Sequence, residues 1–248
     1  EMKRGSDRHQ ALHEEVATLV AVQPKSLEDH VALKLHNSIV GTARLLEGGM
    51  TREAPIYGRV NSLFVVGSID EIAIGAGILR ITDTKTRRTD TMPSEQQKRT
   101  TRFQLMTYRH LFEDARRGKF TAHDLLASYG FSSGSRITDE FLQEVRGIGE
   151  ELEPSVSLLA EEAFALLRRL PPASEELEVR YESQQSGKAI GVDLFRFEAG
   201  LSKRVLSHLR ALERDLKAAL ADAGDIKTKK RLTALLKEAQ ATIQERFG

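Results

Sequence analysis

The sequence predicts an α/β sandwich with a sheet of modest size, on three observations. Apolar residues recur at helical spacing up to Leu46, short apolar runs punctuated by glycine replace that pattern from Arg52 to Lys85, and strand character returns after a long helical stretch. The 248 residues are 40% apolar and 29% charged with 6 prolines and 18 glycines, a composition that fits neither disorder nor collagen-like repetition. No run approaches the roughly 20 consecutive apolar residues of a membrane span. There is no cysteine, so disulfides, thiolate zinc sites and cysteine nucleophiles are excluded, and a metal must be held by oxygen or imidazole. Lysine and arginine total 37 against 36 acids, and a net charge of +1 announces no polyanionic partner in bulk. The opening Glu1-Met2-Lys3-Arg4 is unlike a signal peptide and suggests a fragment cut upstream of its natural start.

Residues 5–20 read as an amphipathic helix, with Leu12, Val16, Leu19 and Val20 on its stripe and Ser6 as N-cap. A second helix is expected from Leu27 to Leu46, capped by Ser26, striped by Val31, Leu35, Ile39 and Leu46, and stopped by Gly48-Gly49. Three strands follow as a meander ending near Thr86: Pro55-Ile56-Tyr57, Leu63-Phe64-Val65-Val66 and Ile78-Leu79-Arg80-Ile81. Pro93 falls in the first turn of a helix that runs to Gly118. Further helices are expected over 121–170, with a loop at Ser132–Ser135 and a stop at Pro171-Pro172. Strands return at Leu177–Tyr181 and Ala189–Phe197 around the turn Ser186-Gly187-Lys188, and a charged helical tail runs from Leu201 to Phe247, broken near Gly224.

The chemistry concentrates between Gly67 and Tyr108. Asp70 ends the apolar strand Phe64–Ile69, where an acid cannot serve a core. On the next strand, Ile81-Thr82-Asp83-Thr84-Lys85, alternation puts Asp83 and Lys85 on one face and Thr84 on the other. Carboxylates from neighbouring strands are hard ligands of the kind Mg²⁺ prefers, and a nearby ammonium can orient or deprotonate a water or offset transition-state charge. A surface ion pair beside an unrelated turn acid satisfies the same spacing. Gln104 and Tyr108 are four apart on one helix face, as are Gly5 and His9. Between Thr84 and Arg102 six basic residues (Lys85, Arg87, Arg88, Lys98, Arg99, Arg102) face two acids (Asp90, Glu95), a local excess suited to phosphate. Tyr57, Phe64, Phe103 and Tyr108 are either base-stacking faces or core. The second basic group, Lys227, Lys229, Lys230 and Arg231, reads as a solvated helix face.

The order G-x-x-x-H, apolar strand ending in Asp, D-x-K and Q-x-x-x-Y resembles the RecB-type branch of the PD-(D/E)xK nuclease superfamily. Val66–Ile72, Asp83–Arg88, Met92-Pro93, Gln96–Lys98 and Phe103–Tyr108 are similar in particular to the exonuclease V family, with Arg4–Ser6, His9 and Arg52–Gly58 as further matches. The resemblance covers roughly residues 4–130 and, more weakly, 175–212. It implies a restriction-endonuclease-like core, a small mixed sheet flanked by helices, with a helical insertion and a helical C-terminal tail. One nuclease domain would span 1–248: helices, meander and motif helix to 118, the insertion over 119–174, returning strands over 175–200, and the tail. It implies a Mg²⁺-dependent exonuclease on single-stranded DNA (Mn²⁺ being the alternative metal) in DNA repair or genome maintenance, with mitochondrial or nuclear localisation although no targeting signal is visible. Asp70 and Asp83 would be metal ligands, with the Thr84 carbonyl and His9 completing the shell. Lys85 would be the catalytic lysine, and Gln104 and Tyr108 would order the site. Arg87, Arg88, Lys98, Arg99 and Arg102 would line the DNA path, while Glu53 and Glu15 are candidate extra acids.

The family's 4Fe-4S cluster, held by cysteines, cannot be so ligated in a chain with none. Single-stranded DNA is the expected partner, with a single-strand-binding protein as a candidate protein partner and no membrane. A catalytically inactive DNA-binding module and an endonuclease on the same core are the alternatives. Other chemistry lacks a motif: there is no P-loop, Gly75-Ala76-Gly77 lacks the continuation of a dinucleotide fingerprint, and no H-E-x-x-H occurs.

Overall fold

The computed structural model describes residues 22–222, 233–237 and 240–242. The helix predicted over 5–20, and with it Gly5, His9 and Glu15, lies outside the described residues, as do Gly224 and the basic group at 227–231. The first described helix, α1, spans Leu27–Leu46, where Ser26 and Asp29 close a capping box. The meander follows as β1 (Met50–Val60), β2 (Leu63–Gly75) and β3 (Ile78–Arg87). Helices α2 (Glu95–Arg116), α3 (Ala122–Tyr129), α4 (Asp139–Gly147) and α5 (Val156–Leu167) lead to β4 (Glu176–Ser183), β5 (Ala189–Arg196) and α6 (Leu201–Asp222).

The five strands lie in sequence order. All neighbours are antiparallel except β3 and β4, which run parallel in register from Thr82↔Glu178 to Arg87↔Ser183. A parallel pair needs a crossover, and the helical stretch α2–α5 is that crossover. The sheet is thus mixed and flanked by helices, consistent with the PD-(D/E)xK-like core. Helix α1 lies on β1 and β2, α2 on β1, β3 and β4, and α5 packs against both helices. Their shared core is closed by fully buried Leu35, Ile56, Ile69, Ile81, Phe112 and Phe164. Among the described residues no helix is long and apolar enough to cross a membrane.

Three local expectations are corrected. Pro93 stands one residue before the N-cap Ser94, outside the first turn, because Ser94 and Gln97 form the capping box that starts α2. Strand β2 does not end at Asp70 but continues to Gly75, since Glu71–Gly75 pair with β3. Tyr57 and Phe103 are core residues, 3% and 5% exposed, and Phe64 packs on Phe120 and Tyr129 at 6.1 and 5.2 Å between centroids. Burial rules out base stacking for Tyr57 and Phe103.

The crossover is tied to α1 through one carboxylate. Asp29, wholly buried, accepts from the Thr138 N–H (2.8 Å) and hydroxyl (2.9 Å) and from the N–H groups of Ser26 and Lys25 (both 3.1 Å). Burial alone would raise its pKa, but these donors outweigh burial and hold it below the ordinary 3.8. A depressed folded pKa gives stability that is complete above the unfolded value and is lost as pH falls through the folded one. Asp29→Ala is expected to cost about 3 kcal/mol in urea unfolding at pH 7, because buried donors lose their acceptor. Asp29→Asn is expected to flatten the loss of stability below about pH 4. An acid limb unchanged in Asp29→Asn refutes the assignment.

Candidate active site

The last β2–β3 pair toward the site is Glu71↔Thr82, so the next positions outward are Asp70 and Asp83. There the ladder opens. The Thr84 N–H, instead of meeting a carbonyl of β2, donates to Asp70 Oδ2 at 2.8 Å. An extended residue presents its N–H and C=O to the same strand edge, which turns the Thr84 carbonyl toward β2 as well. On the other side of Asp70, the pairs Arg52↔Glu71 and Ala54↔Ile69 flank Glu53, whose φ of 49° is left-handed and rare for a side-chain-bearing residue. Ser68 Oγ donates to Glu53 Oε2 at 3.0 Å. Glu53, Asp70 and Asp83 therefore fall in one row across three strands, at an irregularity of the kind that re-aims side chains beside active sites.

Asp83 is 3% exposed and accepts from Lys85 Nζ at 3.0 Å. Burial would lower the lysine pKa, but the Asp83 and Asp70 carboxylates outweigh burial and raise it above the ordinary lysine value. Those neighbouring carboxylates favour the charged ammonium. Tyr108 contributes to the same electrostatic environment, and the Gln104 amide donates to its hydroxyl at 3.1 Å. A Cβ built on Gly67 would stand 2.7 Å from the Tyr108 ring, so only glycine lets the ring lie directly on β2.

Asp70, Asp83, Thr84 and Lys85 are thus brought together, with Gln104 and Tyr108 on the adjoining helix, while His9 lies outside the described residues. Among the described residues no cluster of three His, Asp or Glu side chains has metal-holding geometry. Two carboxylates and a main-chain carbonyl nevertheless fit Mg²⁺, which commonly takes one or two carboxylates plus substrate phosphate and keeps several waters. Mn²⁺ prefers the same oxygen donors.

The basic residues divide. Arg102 grips the buried Asp193 of β5 with two bonds, Nε to Oδ2 at 2.8 Å and Nη2 to Oδ1 at 2.6 Å, and reaches Glu95 at 3.1 Å. Lys98 pairs with Glu95 at 2.7 Å and lies 3.8 Å from Asp193. These two hold the start of α2 to the sheet. Arg88 and Arg99 are exposed, and Arg87 lies on β3 two residues beyond Lys85.

A profile of exonuclease V, described as a 5′ deoxyribonuclease, matches residues 1–78 and 75–165. The chain belongs to the exonuclease V family. It is similar to the exonuclease V of Danio rerio, 25% identical over 199 residues that make up 80% of this chain and 50% of that protein. The chain spans about half the length of that relative.

Sequence reading missed Asp193, although an acid interrupting the apolar strand Ala189–Phe197 is the same signal that singled out Asp70. It also missed Gly67 as the seat of Tyr108, since a glycine in a strand announces close approach without naming what approaches. If Arg102 and Asp193 form a structural latch, Asp193→Ala is expected to destabilise the protein by about 3 kcal/mol, and a double-mutant cycle with Arg102→Ala should show strong coupling. Urea unfolding of the four proteins measures it. Additive losses would return Arg102 to the surface.

Proposed function

We propose that this chain is a divalent-metal-dependent deoxyribonuclease that hydrolyses single-stranded DNA from an end, in DNA repair or genome maintenance. The observation that carries the reading is the gap in the β2–β3 ladder, where Asp70, held by the Thr84 amide, meets the buried Asp83 with Lys85 on it. The family description makes the 5′ end the first to test.

Asp70 and Asp83 would hold Mg²⁺ with the Thr84 carbonyl. The metal supplies, when bound, an activated water and positive charge on the phosphate oxygens. Lys85 stands beside the pair as a half-buried cation that donates to Asp83, where an ammonium can stabilise developing phosphate charge. Gln104 fixes the Tyr108 hydroxyl, and Gly67 seats the ring, so this face of α2 keeps its place beside Lys85.

Labelled linear and circular single strands, and a linear duplex, incubated with Mg²⁺ and with EDTA, test the reading. Cutting of the linear single strand, lost in EDTA, is expected. Cutting of circles would make the protein an endonuclease, and binding without cutting an inactive module. Asp70→Ala and Asp83→Ala should abolish cleavage while binding in Ca²⁺ persists. Lys85→Ala should lower single-turnover cleavage by on the order of 10²–10³ at nearly unchanged affinity. Lys85→Ala within about tenfold of the parent refutes the lysine's role.

A further inference from the structure

Asp83, Lys85 and Arg87 alternate along β3, so all three project from one face, each about 6.6 Å beyond the last. The main chain at Arg87 is fixed on the β4 side, where it faces Ser183 and its carbonyl accepts from the Gln184 N–H at 2.7 Å. Its side chain differs from three other cations of the region. Lys85 is engaged by Asp83, Lys98 by Glu95, and Arg102 by Asp193. Arg87 Nε is buried, and among the described residues nothing accepts a hydrogen bond from it. A guanidinium N–H shut away from water without an acceptor destabilises the free protein. The residue as a whole is only half-buried, so an anion can reach the guanidinium from solvent.

We propose that Arg87 holds the substrate phosphate one nucleotide from the scissile phosphate, while Lys85 and the aspartate pair address the scissile phosphate itself. This rests on reading the site as a nuclease centre. The ligand is a phosphodiester within a strand: its two free oxygens match the planar fork of a guanidinium, and its charge meets a cation that no carboxylate of the described residues has taken. Arg87 thereby sets the register of the strand on the metal-binding pair. Lys98 and Arg102, engaged with acids, contribute to the shape of the path rather than to its grip.

Oligonucleotides carrying one neutral methylphosphonate linkage, walked along a single strand, test this on the parent, Arg87→Gln and Arg87→Lys. Binding is followed in Ca²⁺ and single-turnover cleavage in Mg²⁺. In the parent, one linkage beside the scissile position should cost about tenfold in affinity when neutralised. Arg87→Gln should bind the all-phosphate strand about tenfold more weakly, show no further loss at that linkage, and lower the slope of log K against log salt by about 0.7. Arg87→Lys should show a reduced penalty, because it keeps the charge and loses the fork. A penalty at that linkage as large in both variants as in the parent overturns the proposal. If Arg87→Gln does not fold, Arg87→Lys alone decides in the same way. A parent protein that binds but does not cut refutes the nuclease reading and the proposal with it, whereas a parent that cuts with no change in the penalty refutes Arg87 alone. No binding by the parent overturns both.

Discussion

A single main-chain donor, the Thr84 N–H, sets the arrangement of the site, because it bonds to the Asp70 carboxylate where a regular ladder would bring a carbonyl of β2. A strand donor left without a partner is costly, so β2 and β3 can part here only because an acid stands at the point of parting. Past that point β3 is held by β4, with Thr82 through Arg87 paired in parallel. Parallel pairing in turn obliges the chain to cross over, and the crossover carries α2 across β1, β3 and β4. The helix that brings Gln104 and Tyr108 to Lys85 is therefore a topological consequence of the parallel β3–β4 pairing.

Helix α2 is secured at three levels, which keeps the site's geometry from depending on any exposed contact. Its start is latched to β5 by Arg102 and the buried Asp193. Its middle sits on the sheet through Tyr108 over Gly67 and Leu111 over Gly58. Its end grips the entry to β4: Arg109 donates to the carbonyls of Ser174 (2.6 Å) and Ala173 (3.0 Å) and stacks on Phe197, while Glu113 accepts from the Ala173 N–H at 2.8 Å. Burial would raise the Glu113 pKa, but Arg116, the Ala173 amide and Arg117 hold it below the ordinary value, so this anchor keeps its charge through the neutral range.

What was legible in the sequence was local. Ser26 before an apolar stripe specified α1 to the residue, and glycines between short apolar runs specified the meander, because caps and turns act over three or four residues. The D-x-K alternation was legible for the same reason: two residues on one strand must share a face. The partners of Arg102 and Asp29 were not. They lie 91 and 109 positions away, and nothing local distinguishes an arginine aimed at solvent from one aimed at a buried acid. Glu53 was named only as a spare acid, since its left-handed backbone and its place in the row with Asp70 follow from strand pairing rather than from residue type.

The same distance effect changes what the basic stretch means. Counted along the chain, 84–102 carries six cations against two acids. Counted in space, Asp193 joins from β5, and Asp83, one position before the stretch, faces Lys85, so Lys85, Lys98 and Arg102 each face a carboxylate. A paired cation that stays paired releases few counterions when DNA binds, so these three count for less toward phosphate than their number along the chain suggests. On the proposed reading, attraction for phosphate would fall to cations without an acid partner. Specific placement rather than excess charge is accordingly what a near-neutral chain has available for holding a polyanion.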